Sequence, residues 1–205
     1  MIEALFTFIN YYIQLFAIMN PFSAIPTFLS LTDALDTVTR RSIVDRAFIA
    51  MCILVALFTL LGTYVLSVFG ISLSALRVGG GILLVAIGLD MLGGMPRTKS
   101  VEPRDIAVVP IATPLVVGPG TITTLLLLTS LNPTILNTVI VLFSGLSAAF
   151  TTYILLRYSD IIIKYVKPSV VKGIGRFMAL IIVSVAVEMI MDGVKQYIEE
   201  NLMIC

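Results

Sequence analysis

Residues 20–26 read NPFSAIP, and residues 113–119 read TPLVVGP. Each stretch carries two prolines five residues apart, and the two copies lie 93 positions apart inside hydrophobic segments. Proline lacks the amide donor of a helical hydrogen bond and clashes with the preceding turn, so each pair should interrupt its helix. Interrupted backbone at membrane depth needs protein or a water-filled cavity around it. Matched interruptions in two halves of a membrane protein therefore indicate a solute-binding site.

The composition is that of a membrane protein. Of the 205 residues, 59% are hydrophobic and 12% are charged, whereas soluble domains carry about 45–50% apolar and about 25% charged residues. Histidine, the commonest metal ligand, is absent, and the net charge of +1 comes without a basic run that could follow a nucleic acid. We expect the lipid bilayer as the surroundings, and no metal, cofactor or nucleic-acid partner.

Six segments are apolar enough to cross a bilayer, which takes about 20 residues. Only Gly70-Ile71-Ser72 separates the second from the third, so that turn must be tight. The proline motifs fall in the first and the fourth. The predicted spans are Leu5–Leu31, Ala47–Phe69, Leu73–Leu92, Ile106–Leu131, Ile135–Leu156 and Ile174–Val194. The predicted fold is an all-α polytopic membrane protein with six transmembrane helices, of which helices 1 and 4 are broken at Pro/Gly motifs.

The distribution of basic residues predicts the orientation. Eleven of the 13 lie in or beside the connections between spans 1 and 2, 3 and 4, and 5 and 6. The positive-inside rule makes these connections cytoplasmic and both termini extracytoplasmic. Three spans per half then give two inverted three-helix repeats in a single transmembrane domain: residues 1–92, a cytoplasmic linker at 93–105, and residues 106–205. The acidic residues near the first connection, Asp33, Asp36 and Asp45, are expected to be solvated.

The proline motifs also predict the chemistry of the site. Pro26 and Pro119 suit the first position of a restarted half-helix, which needs no amide donor. The next amides, from residues 27–28 and 120–121, would then face the break and favour a carboxylate, while the opposing carbonyls favour an ammonium. This polarity fits a small zwitterion. The predicted substrate-binding residues are Asn20, Pro21, Ser23, Pro26, Thr27, Pro114, Gly118, Pro119, Gly120, Thr121 and Thr123. The alternative is that proline and glycine only kink packed helices.

Four charged residues lie inside spans 3 and 6. Arg77 and Asp90 are 13 residues apart, and Arg176 and Glu188 are 12 apart. Because charges in lipid cost at least ~2.5–3.5 kcal/mol each at mid-bilayer, we expect Arg77 to pair with Glu188, and Arg176 with Asp90. Glu188 or Asp90 is also a candidate protonatable coupling group. The alternatives are purely structural ion pairs, or side chains that snorkel to the membrane surface.

The paired motifs, Asn20-Pro21…Pro26 and Pro114…Gly118-Pro119-Gly120, resemble those of the MarC family of prokaryotic inner-membrane proteins. The Gly-rich third span, Arg77-Val78-Gly79-Gly80-Gly81, agrees, and the resemblance covers essentially the whole chain. It implies a multi-pass protein of the prokaryotic cell (inner) membrane. One branch of the family is known as small neutral amino acid transporters, which move glycine and alanine with proton coupling. Membership of that branch would make this chain such a symporter.

Several functions are compatible with these features. The first is a secondary transporter for a small neutral amino acid, which binds at mid-membrane and moves as the two halves rock. The second is a channel, a facilitator or an exporter of another small solute. The third, an intramembrane enzyme, is not favoured, because no catalytic constellation is recognisable. The sequence also lacks a P-loop motif, so transport driven by ATP binding within this chain is not expected. A structural or regulatory membrane protein is the fourth. Substrate identity, direction, the coupling ion and a homo-oligomeric state are left open.

Overall fold

A computed structural model describes residues 2–33, 35–93, 117–166 and 168–202. These residues form eight helices and no strand. The helices are α1 (Ile2–Met19), α2 (Pro21–Leu31), α3 (Thr37–Val68), α4 (Leu73–Leu92), α5 (Pro119–Leu131), α6 (Ile135–Arg157), α7 (Ser159–Tyr165) and α8 (Pro168–Leu202). Five helical stretches in this part of the chain are long and apolar enough to cross a membrane, with α1 and α2 counted as one. Helix α5 is apolar but has only 13 residues, and residues 106–116 of the predicted fourth span lie outside the described residues.

Local capping sets where α3 and α4 begin. The carboxylate of Asp36 accepts hydrogen bonds from the backbone amides of Val38 (3.1 Å) and Thr39 (3.3 Å), so it caps α3. Hydrogen bonding from Thr39 lowers the pKa of the Asp36 carboxyl. Ser72 caps α4 through a 3.1 Å bond from the amide of Ala75. The turn between the two helices is tight, as predicted, and Gly70 takes the positive φ of 62° that this turn requires.

Helices α4 and α8 form the most extensive contact in the described fold, and they run antiparallel. At one end, the hydroxyl of Ser74 donates to the carboxylate of Glu200 at 3.0 Å. Near the other end, a Cβ on Gly88 would lie 3.3 Å from the carbonyl oxygen of Ala179. Because residue numbers rise along one helix as they fall along the other, the two helices point in opposite directions. Small residues let their backbones approach closely, as is common between membrane helices.

Helices α3 and α6 are also antiparallel. Asp45, near the start of α3, forms an ion pair with Arg157 at the end of α6 and accepts a 2.9 Å hydrogen bond from the hydroxyl of Tyr153. Further along, a Cβ on Gly145 would lie 2.7 Å from the side chain of Val55. The expectation that Asp45 is merely solvated was therefore wrong. A loop assignment from sequence could not show that the end of α6 returns to this position.

The buried side chains form two clusters, and α1 and α5 contribute to both. Leu15 and Leu125 lie in the larger cluster, with residues of α2, α3 and α6. Ile18 and Leu127 lie in the smaller one, with residues of α4 and α8. The two helices whose ends carry the proline motifs therefore sit between the two packed groups. The outward faces of the other helices expose large apolar side chains, as expected in lipid.

Candidate functional site

Asn20 separates α1 from α2 and has a left-handed backbone, with φ 41° and ψ 65°. Among the described residues, no other non-glycine residue has a positive φ. The Asn20 amide still donates to the carbonyl of Phe16 at 3.0 Å, so α1 is hydrogen-bonded up to this point. Pro21 then begins α2 and brings no amide donor. We call this site the Asn20 junction.

The side chain of Asn20 stabilises the junction and is itself 1% exposed. Its carbonyl oxygen accepts a 3.3 Å hydrogen bond from the amide of Ser23, which caps the new helix. Its amide nitrogen lies 3.7 Å from the sulfur of Met91 in α4. Asparagine is one of the few residues that adopt a left-handed backbone without a large cost, because its short polar side chain bonds locally.

The junction lies at Pro21, and the prediction that Pro26 begins the second half-helix was wrong. Pro26 lies inside α2, so the amides of Thr27 and Phe28 do not face the junction. Both prolines of the motif meet the requirements of a first helical position, but only Pro21 follows a residue that can cap a helix. Asn20 supplies that cap, whereas Ile25 cannot.

The second motif places a helix start at its last proline. Pro119 is the first residue of α5, as predicted, and the preceding Gly118 provides no side-chain cap. The first intrahelical bond runs from the amide of Ile122 to the carbonyl of Gly118 at 3.1 Å. The other proline of this motif, Pro114, lies outside the described residues. The two motifs thus start their helices at different prolines, Pro21 and Pro119.

Gly120 is covered by side chains from α4 and α1. A Cβ added to Gly120 would lie 2.6 Å from Leu84, 3.3 Å from Ile87 and 3.6 Å from Ile18. The lack of a side chain therefore serves close helix packing here, and a solute that reached this backbone would have to displace Leu84. The next residue, Thr121, is 1% exposed. These apolar neighbours carry no motif of their own, so sequence reasoning missed them.

One face of α4 brings the two motifs together. Leu84 and Ile87 contact Gly120, and Met91 contacts Asn20. Residues at positions i, i+3 and i+7 lie along the same side of a helix. The Asn20 junction and the start of α5 are therefore packed against a single stripe of α4, which we call the α4 stripe (Leu84, Ile87 and Met91).

The predicted hydroxyl-bearing residues contact different helices. The hydroxyl of Ser23 lies 2.6 Å from where a Cβ on Gly175 of α8 would be. Thr123 is 9% exposed and packs against Gly80 of α4, where an added Cβ would meet its methyl group at 2.1 Å. Thr27 is half-buried in α2. The structure thus brings Asn20 and Gly120 to one stripe, while Ser23 and Thr123 pack against separate neighbours.

One predicted ion pair is shifted by one helical turn, and the other is not formed among the described residues. Arg77 contacts Asp192 of α8 at 3.9 Å, four residues beyond Glu188. Neither the Arg77–Glu188 pair nor the Arg176–Asp90 pair is present among the described residues, and Asp90, Arg176 and Glu188 are all exposed. The two helices were paired correctly, but depth counted from span ends has an uncertainty of about one turn (~5.4 Å). Asp192 was recognisable, because it lies one turn from Glu188.

These features define a multi-pass integral membrane protein, helical throughout its described residues, in which the Asn20 junction and the start of α5 pack against one face of α4. The chain belongs to the MarC family, since the profile described as "MarC family integral membrane protein" matches residues 5–198. It is similar to UPF0056 membrane protein PH0760 of Pyrococcus horikoshii, with 35% identity over 95% of this chain and 98% of that protein.

Similarity extends to bacterial relatives. UPF0056 membrane protein YvbG of Bacillus subtilis is 32% identical over 93% of this chain and 96% of the relative. UPF0056 membrane protein YhcE of Escherichia coli is 29% identical over 95% of this chain and 96% of the relative. No solved structure shows significant similarity to the chain. The resemblance inferred from the proline motifs is thus confirmed at the level of the family.

Proposed function

We propose that this protein is a secondary transporter for a small zwitterionic solute of the neutral amino acid class, glycine- or alanine-like, driven by protons. The observation that carries the proposal is that the Asn20 junction and the start of α5 both pack against the α4 stripe. At the Asn20 junction, α1 ends and α2 begins. At Pro119, α5 begins without a side-chain cap. Paired helix ends inside a membrane protein are a recurrent basis for substrate sites in secondary transporters.

The polarity of these helix ends fits a zwitterion. The start of α5 has partial positive charge and would attract the carboxylate of the solute. The last carbonyls of α1 are partly negative and would accept hydrogen bonds from its ammonium group. Leu84 and Ile87 already fill the space in front of Gly120. A solute bound there would have to displace the end of the Leu84 side chain, which favours a solute whose own side chain is as small as a hydrogen or a methyl group.

An inverted repeat is part of this proposal, and two packing observations support it. The third helices of the two halves, α4 and α8, are antiparallel neighbours, and so are the second helices, α3 and α6. Exchanging the halves also maps the contact of α1 with α6 onto that of α3 with α5. An axis in the membrane plane produces this pattern, whereas an axis along the membrane normal would make equivalent helices parallel.

Glu188 is the candidate for proton coupling. It lies within the apolar part of α8, it is exposed, and it forms no ion pair among the described residues. An ionisable residue at membrane depth is a functional candidate because its charged form is costly there. Asp192 lies one turn away on the same side of α8 and pairs with Arg77 of α4, so a change in charge at Glu188 would alter the electrostatic energy of that pair.

Uptake by proteoliposomes tests the proposal. We expect saturable uptake of labelled glycine and L-alanine, with little D-alanine, and stimulation by an inward proton gradient. Gly120→Ala should reduce uptake at least tenfold because of the clash with Leu84, whereas Gly79→Ala, with nothing within 4 Å of its added Cβ, should keep it. Glu188→Gln should abolish the gradient effect, and Glu199→Gln, near the exposed end of the same helix, should not.

The alternatives predict different results. Flux that does not saturate and does not distinguish enantiomers would indicate a channel or facilitator. Strict efflux of another solute would indicate an exporter. If no solute of a broad amino acid panel moved in either direction, the transport proposal would be wrong.

A further inference from the structure

One end of the described fold contains arginines that are neutralised and cations that are not. Arg40 of α3 pairs with Asp160 of α7, and Arg157 of α6 pairs with Asp45. Helix α8 begins at the same end, because it follows α6 and α7 in the chain. Its cations, Lys172 and Arg176, are exposed and form no ion pair among the described residues.

The two cations of α8 lie close to each other. They are four residues apart, so they are neighbours on one side of the helix, where like charges repel. The exposed Lys164 of α7 adds a third cation near this end. Neighbouring cations of this kind favour the binding of an anion between them.

An apolar strip continues from the two cations along the same side of α8. Leu180 is 55% exposed and Val187 is 49% exposed, and both follow Arg176 at helical spacing. The large aromatic side chains of Tyr165 (86%) and Phe177 (60%) are exposed near the same end, and aromatic residues typically mark the membrane–water interface. The surface is thus cationic at the interface and apolar toward the bilayer centre.

We propose that this surface, Lys172 and Arg176 with the strip of Leu180 and Val187, binds an anionic phospholipid of the adjoining leaflet. The phosphate group lies between the two cations, and one acyl chain lies along the apolar strip. Basic surfaces at the ends of membrane helices bind anionic head groups in this way. The two charges favour a lipid with a net negative head group, such as phosphatidylglycerol, over zwitterionic phosphatidylcholine.

Thermal unfolding of the purified full-length protein in mixed micelles tests this proposal. We expect added phosphatidylglycerol to raise the midpoint, phosphatidylcholine to leave it nearly unchanged, and inorganic phosphate to have no effect. In K172Q/R176Q, the phosphatidylglycerol concentration that gives half of the shift should rise about thirtyfold. Each basic residue contributes about 1 kcal/mol to the binding free energy, and about 1.4 kcal/mol corresponds to a tenfold change in affinity. R41Q/R46Q is the matched control, because it removes two exposed charges from different sides of α3 and should keep the wild-type response.

K172R/R176K changes both side chains but keeps both charges, and it should respond to phosphatidylglycerol like the wild type. This variant shows whether the loss in K172Q/R176Q comes from the missing charges or from disturbed folding. Native mass spectrometry should show one retained phosphatidylglycerol on the wild type and none on K172Q/R176Q. An unchanged phosphatidylglycerol response in K172Q/R176Q would overturn the proposal. An equal loss in R41Q/R46Q would also overturn it, since that would indicate attraction to overall charge. Transport activity is not part of any readout, so the result is independent of the proposed function.

Discussion

At the scale of single residues, Asn20 combines an unusual backbone conformation with a position in the proposed substrate site. A left-handed backbone costs most L-residues about 1–2 kcal/mol, and asparagine escapes much of this cost through local hydrogen bonds. We expect Asn20→Ala to lower the free energy of unfolding by about 2 kcal/mol, because the left-handed residue and the cap of Ser23 are both affected. Asn20→Gly should cost clearly less, since glycine adopts positive φ freely.

Thermal or urea unfolding in detergent, followed by circular dichroism, measures this difference. Asn20→Asp is a useful third variant, because it keeps the oxygen that accepts from Ser23 but loses the amide that faces Met91. Equal destabilisation by glycine and alanine would mean that the backbone at position 20 is not left-handed in the protein.

At the scale of helices, α4 provides a test with two adjacent glycines. A Cβ on Gly80 would lie 2.1 Å from the methyl group of Thr123 in α5, whereas a Cβ on Gly79 would have nothing within 4 Å. We expect Gly80→Ala to destabilise the protein by about 1–3 kcal/mol through overpacking. Gly79→Ala should be neutral or should stabilise by up to about 1 kcal/mol, because alanine loses less backbone entropy than glycine.

The same unfolding assay compares the two variants. In G80A, replacing Thr123 by Ser removes the clashing methyl group and should recover part of the loss, as expected for residues in contact. If G79A lowered the free energy of unfolding as much as G80A, the close contact between Gly80 of α4 and Thr123 of α5 would be refuted.

Sequence patterns predicted some elements closely and others poorly, for physical reasons. The bounds of α4, Leu73–Leu92, agree with the prediction because a capping serine and a glycine delimit a largely apolar segment. The first proline motif was ambiguous, since either proline suits a helix start and only the capping ability of Asn20 decides between them. Helix α7 was not predicted, because seven residues between charged segments carry too little periodicity to be recognised.

The candidate site could be predicted only in part. The proline motifs pointed to Asn20 and Gly120, because proline and glycine determine the local backbone conformation and the loss of helical hydrogen bonds. The α4 stripe was not predictable, since Leu84, Ile87 and Met91 are ordinary apolar residues whose role depends on tertiary contact. Ion pairing was predicted between the correct helices but at the wrong residue, because a one-turn shift leaves the apolar pattern almost unchanged.

At the scale of the whole molecule, the antiparallel packing of α4 and α8 is the feature on which the proposed inverted repeat depends. Ser74 and Glu200 meet at one end of this pair, and their side chains are 3.0 Å apart. Lys172, near the start of α8, lies at the other end. After Cys52 and Cys205 are replaced by serine, we expect Ser74→Cys/Glu200→Cys to form an intramolecular cross-link with a short bifunctional thiol-reactive reagent such as a bis-methanethiosulfonate. Ser74→Cys/Lys172→Cys should not.

The same cysteines test the orientation that the basic residues predict. Cysteine at 200 should react with a membrane-impermeant maleimide added to intact cells, because this position is exposed and lies at the predicted extracytoplasmic end. Cysteine at 172 should react only after the membrane is permeabilised. Cross-linking between 74 and 172 instead of 74 and 200 would make the two helices parallel, and equivalent helices of the two halves would then point the same way. The halves could not be inverted copies in that case, and the helix ends at Asn20 and Pro119 could not face each other with opposite polarity.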